Sequence, residues 1–189
     1  MLDILNKYIE EGKMRKIIEE EKMIKVEKLN KEKVIDILDE MYEIISTNMS
    51  NIIDTGNSKD DDYKNWKNSM LKELENPNKN WIGAFKDKEL IGYFLYKIND
   101  NLVNLDEIQV KKSHQGDKYT FIKLFKYILN EEKIDDSFDV LTYVNNNNNK
   151  SNAIVKKFGF VVFEKKEHGV KYINSFKRLR EKLEYYVIK

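Results

Sequence analysis

The sequence predicts an α/β (α+β) protein whose mixed sheet carries helices on both faces. Amphipathic helical stripes alternate with short β-rich runs along most of the 189 residues, and such alternation is typical of a mixed sheet with helices on both sides. A strand at 102–110, a helix and a strand at 140–144 follow one another, which requires a parallel pair joined by a right-handed crossover. The length suits one domain, or one domain with an appendage.

The beginning of the chain predicts an extension followed by a first strand. Residues 1–21 carry apolar side chains at helical spacing on both sides of a break at Gly12, and we assign them to an N-terminal helical extension outside a domain at 22–189. The extension is a candidate docking arm or homodimer element, and a helix packed on its own domain is the alternative. Residues 23–29 alternate apolar and charged side chains, as strands do, and Asn30 is placed to cap the next helix.

Two helices and a β-hairpin are predicted next. An apolar stripe of 3.6-residue period marks the first helix, and three aspartates begin the second, where the helix dipole favours negative charge. Pro77 ends the second helix, because proline disfavours helix in the residue before it. These patterns comprise Val34, Ile37, Leu38, Met41, Tyr42 and Ile45 in the first helix, Asp60–Asp62 followed by Tyr63, Trp66, Met70, Leu71 and Leu74 in the second, and hairpin strands 81–85 and 90–98.

The second half of the chain alternates strands with helices. A glycine-containing polar turn at 111–118 precedes one helix, and five asparagines at 145–149 precede a shorter one. The predicted elements are, in order, a strand at 102–110, a helix with buried face Phe121, Leu124, Phe125, Ile128 and Leu129, a strand at 140–144, a helix to about residue 157, a strand at 160–164, a helix near 175–183 and a strand at 185–188.

The composition excludes several classes of function. Lys plus Arg is 34 and Asp plus Glu is 33, which argues against a general nucleic-acid binder, since that function needs a strong basic excess. With no cysteine and two histidines, the chain has no disulfide, thiolate metal ligand or Cys nucleophile, and no metal-ligand spacing is present. No apolar run approaches the roughly 20 residues of a membrane helix. We therefore expect a cytoplasmic protein without a membrane partner.

The turn at 111–118 is the first candidate binding feature. It joins a strand to a helix N-terminus, whose unpaired amides and partial positive charge suit phosphate. Gly116 allows a ligand to approach the backbone closely. An ordinary polar turn is the alternative.

Two spaced motifs follow the predicted strands at 102–110 and 140–144. Their residues are Val110 and Gln115-Gly116-Asp117-Lys118-Tyr119-Thr120 in the first, and Asn148, Ser151, Lys157, Gly159 and Phe160 in the second. With the element order, these motifs resemble the GNAT superfamily of acyl-CoA-dependent N-acyltransferases, from about Met23 to the C-terminus. That family has a Q/R-x-x-G-x-G/A loop after a strand ending in valine, and a later pattern of an Asn, a small residue and a Lys-x-Gly-Phe ending.

The resemblance implies a mostly antiparallel sheet in which the parallel strands 102–110 and 140–144 splay apart to form a cleft for acetyl-CoA. It implies that the pantetheine arm pairs with a strand backbone, that the pyrophosphate lies on loop amides, and that the short helix holds the cofactor near its start. The residues so assigned are Ile108, Gln109 and Val110 for the arm, Gln115, Gly116, Asp117, Lys118, Tyr119 and Thr120 for the phosphates, and Asn148 and Ser151 at the helix.

Two positions depart from the family pattern. Lys118 stands where the family has its first loop glycine, and Val155 stands where many members have the tyrosine that protonates the leaving thiolate. A thiol of pKa about 8.5 leaves as thiolate at pH 7 at a cost of about 2 kcal/mol, whereas an amine of pKa about 10.4 loses its proton at a cost of about 5 kcal/mol. A base therefore matters more than an acid.

Glu107 and Asp106 are the candidate bases, because the family often carries an acidic residue in this part of the strand, acting directly or through water. Period-2 alternation places the two on opposite faces, so that only one faces the acceptor; we favour Glu107 slightly. Solvated or structural carboxylates are the alternative. Tyr93, Tyr96 and Tyr143 are further candidate proton donors or pocket-lining residues.

The resulting hypothesis is an N-acetyltransferase that moves acetyl from acetyl-CoA to a primary amine by direct transfer in a ternary complex. The absence of cysteine excludes an acyl-cysteine intermediate. The alternatives are a GNAT-like CoA-binding or regulatory module without turnover, and an α/β protein that only presents interaction surfaces. Asp54 and Asp60–Asp62 would suit a cationic amine or polyamine as acceptor, although acidic loops are usually only solvated.

Overall fold

The helices and strands are those of a computed structural model that describes residues 23–115, 119–131 and 133–188. The extension predicted at 1–21 lies outside the described residues, as do Gly116, Asp117 and Lys118. In chain order the elements are β1 (Ile24–Lys28), α1 (Lys31–Asp36), α2 (Leu38–Met49), α3 (Lys59–Glu73), β2 (Lys79–Lys86), β3 (Glu89–Asn99), β4 (Leu102–Val110), a short 3₁₀ turn (Lys112–His114), α4 (Tyr119–Leu129), β5 (Asp139–Asn145), α5 (Asn149–Lys157), β6 (Val161–Lys165), β7 (Gly169–Ser175) and α6 (Phe176–Ile188).

The strands form one seven-stranded sheet in the order β1-β2-β3-β4-β5-β7-β6. Only β4 and β5 run parallel, and the other neighbouring strands pair antiparallel. Helices α1, α2 and α3 cover one side of the sheet, here called the first face, and α4, α5 and α6 cover the second face, each over its own buried cluster. The predicted mixed, mostly antiparallel sheet with helices on both faces is confirmed.

Local sequence explains where several elements begin. The side chains of Asn30 and Ser58 accept hydrogen bonds from backbone N–H groups three residues on, and so cap α1 and α3. Asp87 and Lys88 have φ angles of 50° and 71°. Two consecutive residues with positive φ make the tight turn that matches the twist of a β-hairpin, so β2 and β3 pair directly.

The structure differs from the prediction near the C-terminus. β7 is absent from the predicted elements. Its apolar alternation is broken because one inward position is Asn174, whose side chain donates a hydrogen bond to the Phe158 carbonyl at 3.0 Å. Residues 185–188, predicted as a strand, continue α6 instead. Their β-propensity is overridden because Phe176, Leu179 and Leu183 recur at helical spacing and are buried in the core.

Candidate functional site

The parallel strands separate after a short stretch of pairing. β4 and β5 pair only from Leu102–Asp139 to Leu105–Thr142, and the Thr142 hydroxyl donates to the Leu105 carbonyl at 3.0 Å at the last pair. Directly after it, β4 is bulged at Asp106, since Leu105 and Glu107 pair with consecutive residues of β3. A bulge bends and twists the strand that carries it. The splay expected from the resemblance is therefore present.

Two adjoining cavities fill the opening between the separated strands. The outer cavity, of about 440 Å³, lies between the 3₁₀ turn and α5. The inner cavity, of about 290 Å³, reaches the point where β4 and β5 part. The two share Met49, Ile108, Gln109, Phe121, Asn148, Ser151, Ile154 and Phe158. Together they form one continuous cleft.

The open edge of β4 offers backbone groups to the cleft. The Lys111 N–H donates to the Ile91 carbonyl of β3 at 2.8 Å. Because backbone groups alternate in direction along a strand, those of Ile108 and Val110 point to the opposite, open side. The Val110 carbonyl is already bonded, accepting from the side chains of Asn48 and Gln115 at 3.0 Å each. Hence Ile108 and the Val110 N–H are the groups available to a strand-like ligand.

A chain of side-chain hydrogen bonds crosses the mouth of the outer cavity. Asn48 of α2 donates to Gln109 at 2.9 Å, Gln115 donates to Asn48 at 2.8 Å, and Lys150 of α5 donates to Gln115 at 2.7 Å. Gln115 thus contributes its side chain at the mouth. Neither Asn48 nor Lys150 is among the residues predicted from the sequence, because only the packing of α2 and α5 against β4 brings them there.

The other predicted cofactor-binding residues lie at different depths. Asn148 caps α5 by accepting from the Ser151 N–H at 3.0 Å, and both residues line both cavities. Tyr119 is partly buried against the core of the second face. Thr120 is fully buried, and its methyl group lies next to Gly92 of β3. Thr120 therefore turns its side chain to the core, and only its backbone could serve a phosphate.

Glu107 carries the most perturbed carboxyl group of the cleft. It lines the inner cavity, and its Oε1 accepts a hydrogen bond from the hydroxyl of the fully buried Tyr93. Burial raises the pKa of Glu107 to about 7, although hydrogen bonds from Tyr93 and Gln109 and the charge of Lys79 oppose the rise. Burial, with the Glu107 charge, also raises the pKa of Tyr93. A carboxyl group with a pKa near neutrality is suited to general-base work.

Asp106 is held by an ion-pair cluster. Its Oδ2 lies 2.6 Å from Lys79 Nζ and 3.5 Å from Lys97 Nζ, and Glu73 lies 3.3 Å and 2.9 Å from the same two lysines. The Lys79 side chain is only 4% exposed. Asp106 is thus held at the bulge by two ammonium groups. No local pattern marks Lys79, which sequence analysis missed.

The bulge corrects the expected orientation of the two carboxylates. Alternation alone predicts opposite faces, but Glu107 contacts Tyr93, whose ring belongs to the cluster of the first face. Asp106 contacts Lys97, two residues beyond Leu95 on the same face of β3. Because one extra residue at the bulge cancels one step of the alternation, both carboxylates turn to the first face.

The three tyrosines have different surroundings. Tyr96 is buried in the cluster of the second face and donates to Glu131 at 3.0 Å, away from the cleft. Tyr93 lies behind Glu107. Tyr143 is 46% exposed and lines the inner cavity, as does Val155, which offers no proton.

Over residues 23–115, 119–131 and 133–188, no three His, Asp or Glu side chains are grouped as a metal site would require. Within the same residues, no helix has the length and apolarity to cross a membrane.

Comparisons with known proteins identify the fold. No protein-family model matches the sequence, and no curated protein matches it either. Solved structures do match. PaiA N-acetyltransferase from Thermoplasma acidophilum, in complex with coenzyme A, is 21% identical, with 81% of this chain and 99% of that chain covered and a TM-score of 0.63.

Two further structures carry the same fold. A GNAT-family acetyltransferase from Staphylococcus aureus Mu50 is 17% identical, with coverages of 82% and 99% and a TM-score of 0.59. The N-acetyltransferase PseH from Campylobacter jejuni, in complex with acetyl coenzyme A, is 14% identical, with coverages of 81% and 99% and a TM-score of 0.53. At these identities the likeness concerns the fold: this chain has the GNAT fold, as the sequence motifs suggested.

Proposed function

We propose that this protein is an N-acetyltransferase that moves acetyl from acetyl-CoA to a primary amine by direct transfer in a ternary complex. One observation carries the proposal. At the inner end of the cleft between β4 and β5, a carboxyl group with a pKa of about 7, that of Glu107, lines the cavity. The shared fold supports the proposal, because structures of that fold have been solved with coenzyme A and acetyl coenzyme A.

The cleft fits acetyl-CoA in shape and in chemistry. It is open along the β4 edge at Ile108 and Val110, and its outer cavity is lined by Lys150, in the first turn of α5, and by Lys157. Cationic side chains suit phosphate groups. When bound, acetyl-CoA supplies an acetyl group activated as a thioester. The cofactor-binding roles of Ile108–Val110, residues 115–120, Asn148 and Ser151 are part of this proposal.

Glu107 performs the proton transfer in the proposed reaction. An alkylamine arrives as an ammonium ion of pKa about 10.4, and the ionised carboxylate of Glu107 takes its proton directly or through a water molecule. The neutral nitrogen then forms the new C–N bond as the C–S bond breaks, and the second proton lost by the nitrogen passes to the departed thiolate or to water. The N–H groups of the open β4 edge are the donors available to the carbonyl oxygen.

The leaving group requires no acid from the protein. A thiol of pKa about 8.5 departs as thiolate at a cost of about 2 kcal/mol at pH 7. This agrees with valine at position 155. The same valine favours the second candidate function, a CoA-binding module without turnover.

Two measurements on the full chain test the proposal. Calorimetry with acetyl-CoA measures binding, and thiol release in the presence of primary amines measures transfer. Glu107→Gln should retain binding and lose about 10²- to 10⁴-fold in amine-dependent release, the usual contribution of a general base. Glu75→Gln, an exposed carboxylate paired with Lys31, serves as the control. Binding without release would support the module, and no binding at millimolar acetyl-CoA would overturn both functions.

A further inference from the structure

We infer that the acceptor is a primary amine borne on an apolar carbon chain, and that this chain lies beside Glu107 on a part of the sheet that none of the described helices covers. The inference rests on the proposed function and names the acceptor class for the same site. The uncovered part, here called the acceptor patch, consists of Leu141, Tyr143, Val161 and Ile173.

The register of the sheet places the four side chains together. Leu141 pairs with Ile173, and Ile173 pairs with Val161, so these three form one row across β5, β7 and β6. Directly opposed residues share a face, and Tyr143, two residues beyond Leu141, shares it too. Val161 is 54% exposed.

The acceptor patch belongs to the first face, but the helices of that face lie elsewhere. The cluster beneath α1, α2 and α3 is built with side chains of β2 and β3, and among the described residues it includes none from β5, β6 or β7. Exposed apolar side chains in a row beside a cleft mark a binding surface more often than isolated ones do.

Tyr143 makes the acceptor patch continuous with the inner cavity. It follows Thr142, the last residue of β5 that pairs with β4, and it lines the inner cavity together with Glu107. The outer end of its ring lies over Gly169 of β7, where a Cβ would stand 2.4 Å from the Tyr143 hydroxyl. An amine whose nitrogen meets Glu107 therefore has its carbon chain directed along Tyr143 onto the acceptor patch.

The inner cavity offers one carboxylate to one amino group. Its only charged lining residues among those described are Asp106 and Glu107, and the charge of Asp106 is already met by Lys79 and Lys97. The remaining wall is mostly apolar, including Ile45, Met49, Ile53, Phe94 and Phe160. Among the described residues, the wall therefore has no second free carboxylate for a polyamine. Its polar side chains include Gln109, Thr142, Asn145 and Asn148, and each of these four already holds a hydrogen bond within the protein, which disfavours their use for sugar hydroxyls.

The aspartates that the sequence suggested for a cationic acceptor are engaged elsewhere. Asp62 accepts from Thr55 at 2.7 Å and from Asn57 at 3.1 Å, and Asp61 accepts from Ser58 at 2.7 Å. Neither Asp54 nor Asp60–Asp62 lines the two cavities. These carboxylates order the loop before α3, which leaves the apolar surface to select the acceptor.

A homologous series of amines tests the inference. With saturating acetyl-CoA, kcat/KM for n-alkylamines from propylamine to hexylamine should rise by about two- to fourfold per methylene, since a fully buried methylene contributes about fourfold and the acceptor patch is partly open to water. The kcat/KM values for spermidine and glucosamine should be at least tenfold lower than the value for hexylamine. A flat series, or a preference for spermidine or glucosamine, overturns the inference.

Variants locate the effect on the acceptor patch. Val161→Ser and Tyr143→Ser should lower the increase in kcat/KM per methylene to less than half and raise KM for hexylamine. Ile35→Ser is the control, because Ile35 has a similar exposure, 46%, and lies on the distant α1. This variant should show the same increase in kcat/KM per methylene as the wild type. A wild-type series in both patch variants overturns the placement.

The failure of the inference is distinguishable from the failure of the proposed function. Thiol release that requires an amine but ignores its chain length overturns the inference alone. No release with any amine, whether or not acetyl-CoA binds, overturns the proposed transfer and the inference with it. Light scattering provides a further outcome. If the protein has the mass of two chains and Val161→Ser has the mass of one, the acceptor patch binds a second copy of the protein, and the inference is overturned.

Discussion

The hydroxyl of Tyr93 donates a hydrogen bond to Glu107 Oε1 from inside the core of the first face. The two residues lie on neighbouring strands, and the donor is fully buried, so the bond cannot be replaced by water. It stabilises the ionised carboxylate in surroundings that otherwise favour the protonated form. Among the interactions that oppose burial, this hydrogen bond is the largest, ahead of the charge of Lys79 and the hydrogen bond from Gln109.

The first prediction concerns the pH dependence of transfer. A protonated Glu107 cannot accept a proton, so kcat/KM should rise with pH through an apparent pKa of about 7. Tyr93→Phe removes a bond that favours the ionised form and should move this midpoint to higher pH. Tyr96→Phe is the matched control, because Tyr96 is equally buried but bonds Glu131 on the other side of the sheet. Equal midpoints for the wild type and Tyr93→Phe would contradict the role of the bond.

The second prediction concerns stability. The pKa of Glu107 is raised from 4.5 to about 7 in the folded state, so between these values the folded chain holds a proton that the unfolded chain has released. Stability is thus lost as pH rises through this window, by up to about 3 kcal/mol. In Glu107→Gln the side chain at this position does not titrate. Between pH 4.5 and 8 the free energy of unfolding of this variant, measured in urea, should therefore rise by that amount relative to the wild type. A difference that stays constant with pH would contradict the shift.

The third prediction concerns the buried ammonium at the bulge. Lys79→Met leaves Lys97 as the remaining cation beside Asp106 and Glu73. It should destabilise the fold by about 2–3 kcal/mol, which is somewhat less than the cost of removing one partner from a fully buried ion pair. Lys25→Met, at a side chain 75% exposed and paired with Glu27, should change stability by less than about 0.5 kcal/mol. Thermal or urea unfolding measures both. Equal effects would show that burial of Lys79 contributes nothing.

The fourth prediction separates two roles of Asn148. Asn148→Ala removes the cap of α5 and should cost about 1 kcal/mol, whereas Asn148→Asp keeps an accepting oxygen and the stability. If anionic acetyl-CoA lies along this wall of the cleft, the added charge in Asn148→Asp should weaken its binding in calorimetry. The same changes at Asn30, the cap of α1, should reproduce the stability effects and leave binding unchanged. Unaltered affinity in Asn148→Asp would restrict Asn148 to capping.

Local patterns predicted most elements because the signals that specify them are local. The predicted cap at Asn30 depends on residues within three positions of one another, and the predicted hairpin depends on the short polar segment between its strands. The strand predicted at 102–110 has those bounds in the structure. The spacing of a local motif likewise predicted that Asn148 and Ser151 lie in the cleft, and both line its two cavities.

The parts that escaped prediction depend on distant contacts. The bulge at Asp106 lies in a strand whose composition gives no sign of it, and only pairing with β3 shows the extra residue. Lys79 reaches Asp106 from 27 residues away, and Tyr93 meets Glu107 from 14 residues away. Strand register determines both contacts. An amphipathic pattern shows which face of the sheet a side chain lies on, but not which residue of the neighbouring strand it contacts.

The brief pairing of β4 with β5 has a mechanical consequence. Four residue pairs form a short seam between two plates of the sheet, β1–β4 on one side and β5, β7 and β6 on the other, and we expect the sheet to bend most readily at this seam. A small rotation about that seam changes the width of the opening while every other strand pairing stays intact. A ligand that adds itself along the edge of β4 lengthens the seam, and we expect it to stiffen the two plates into one.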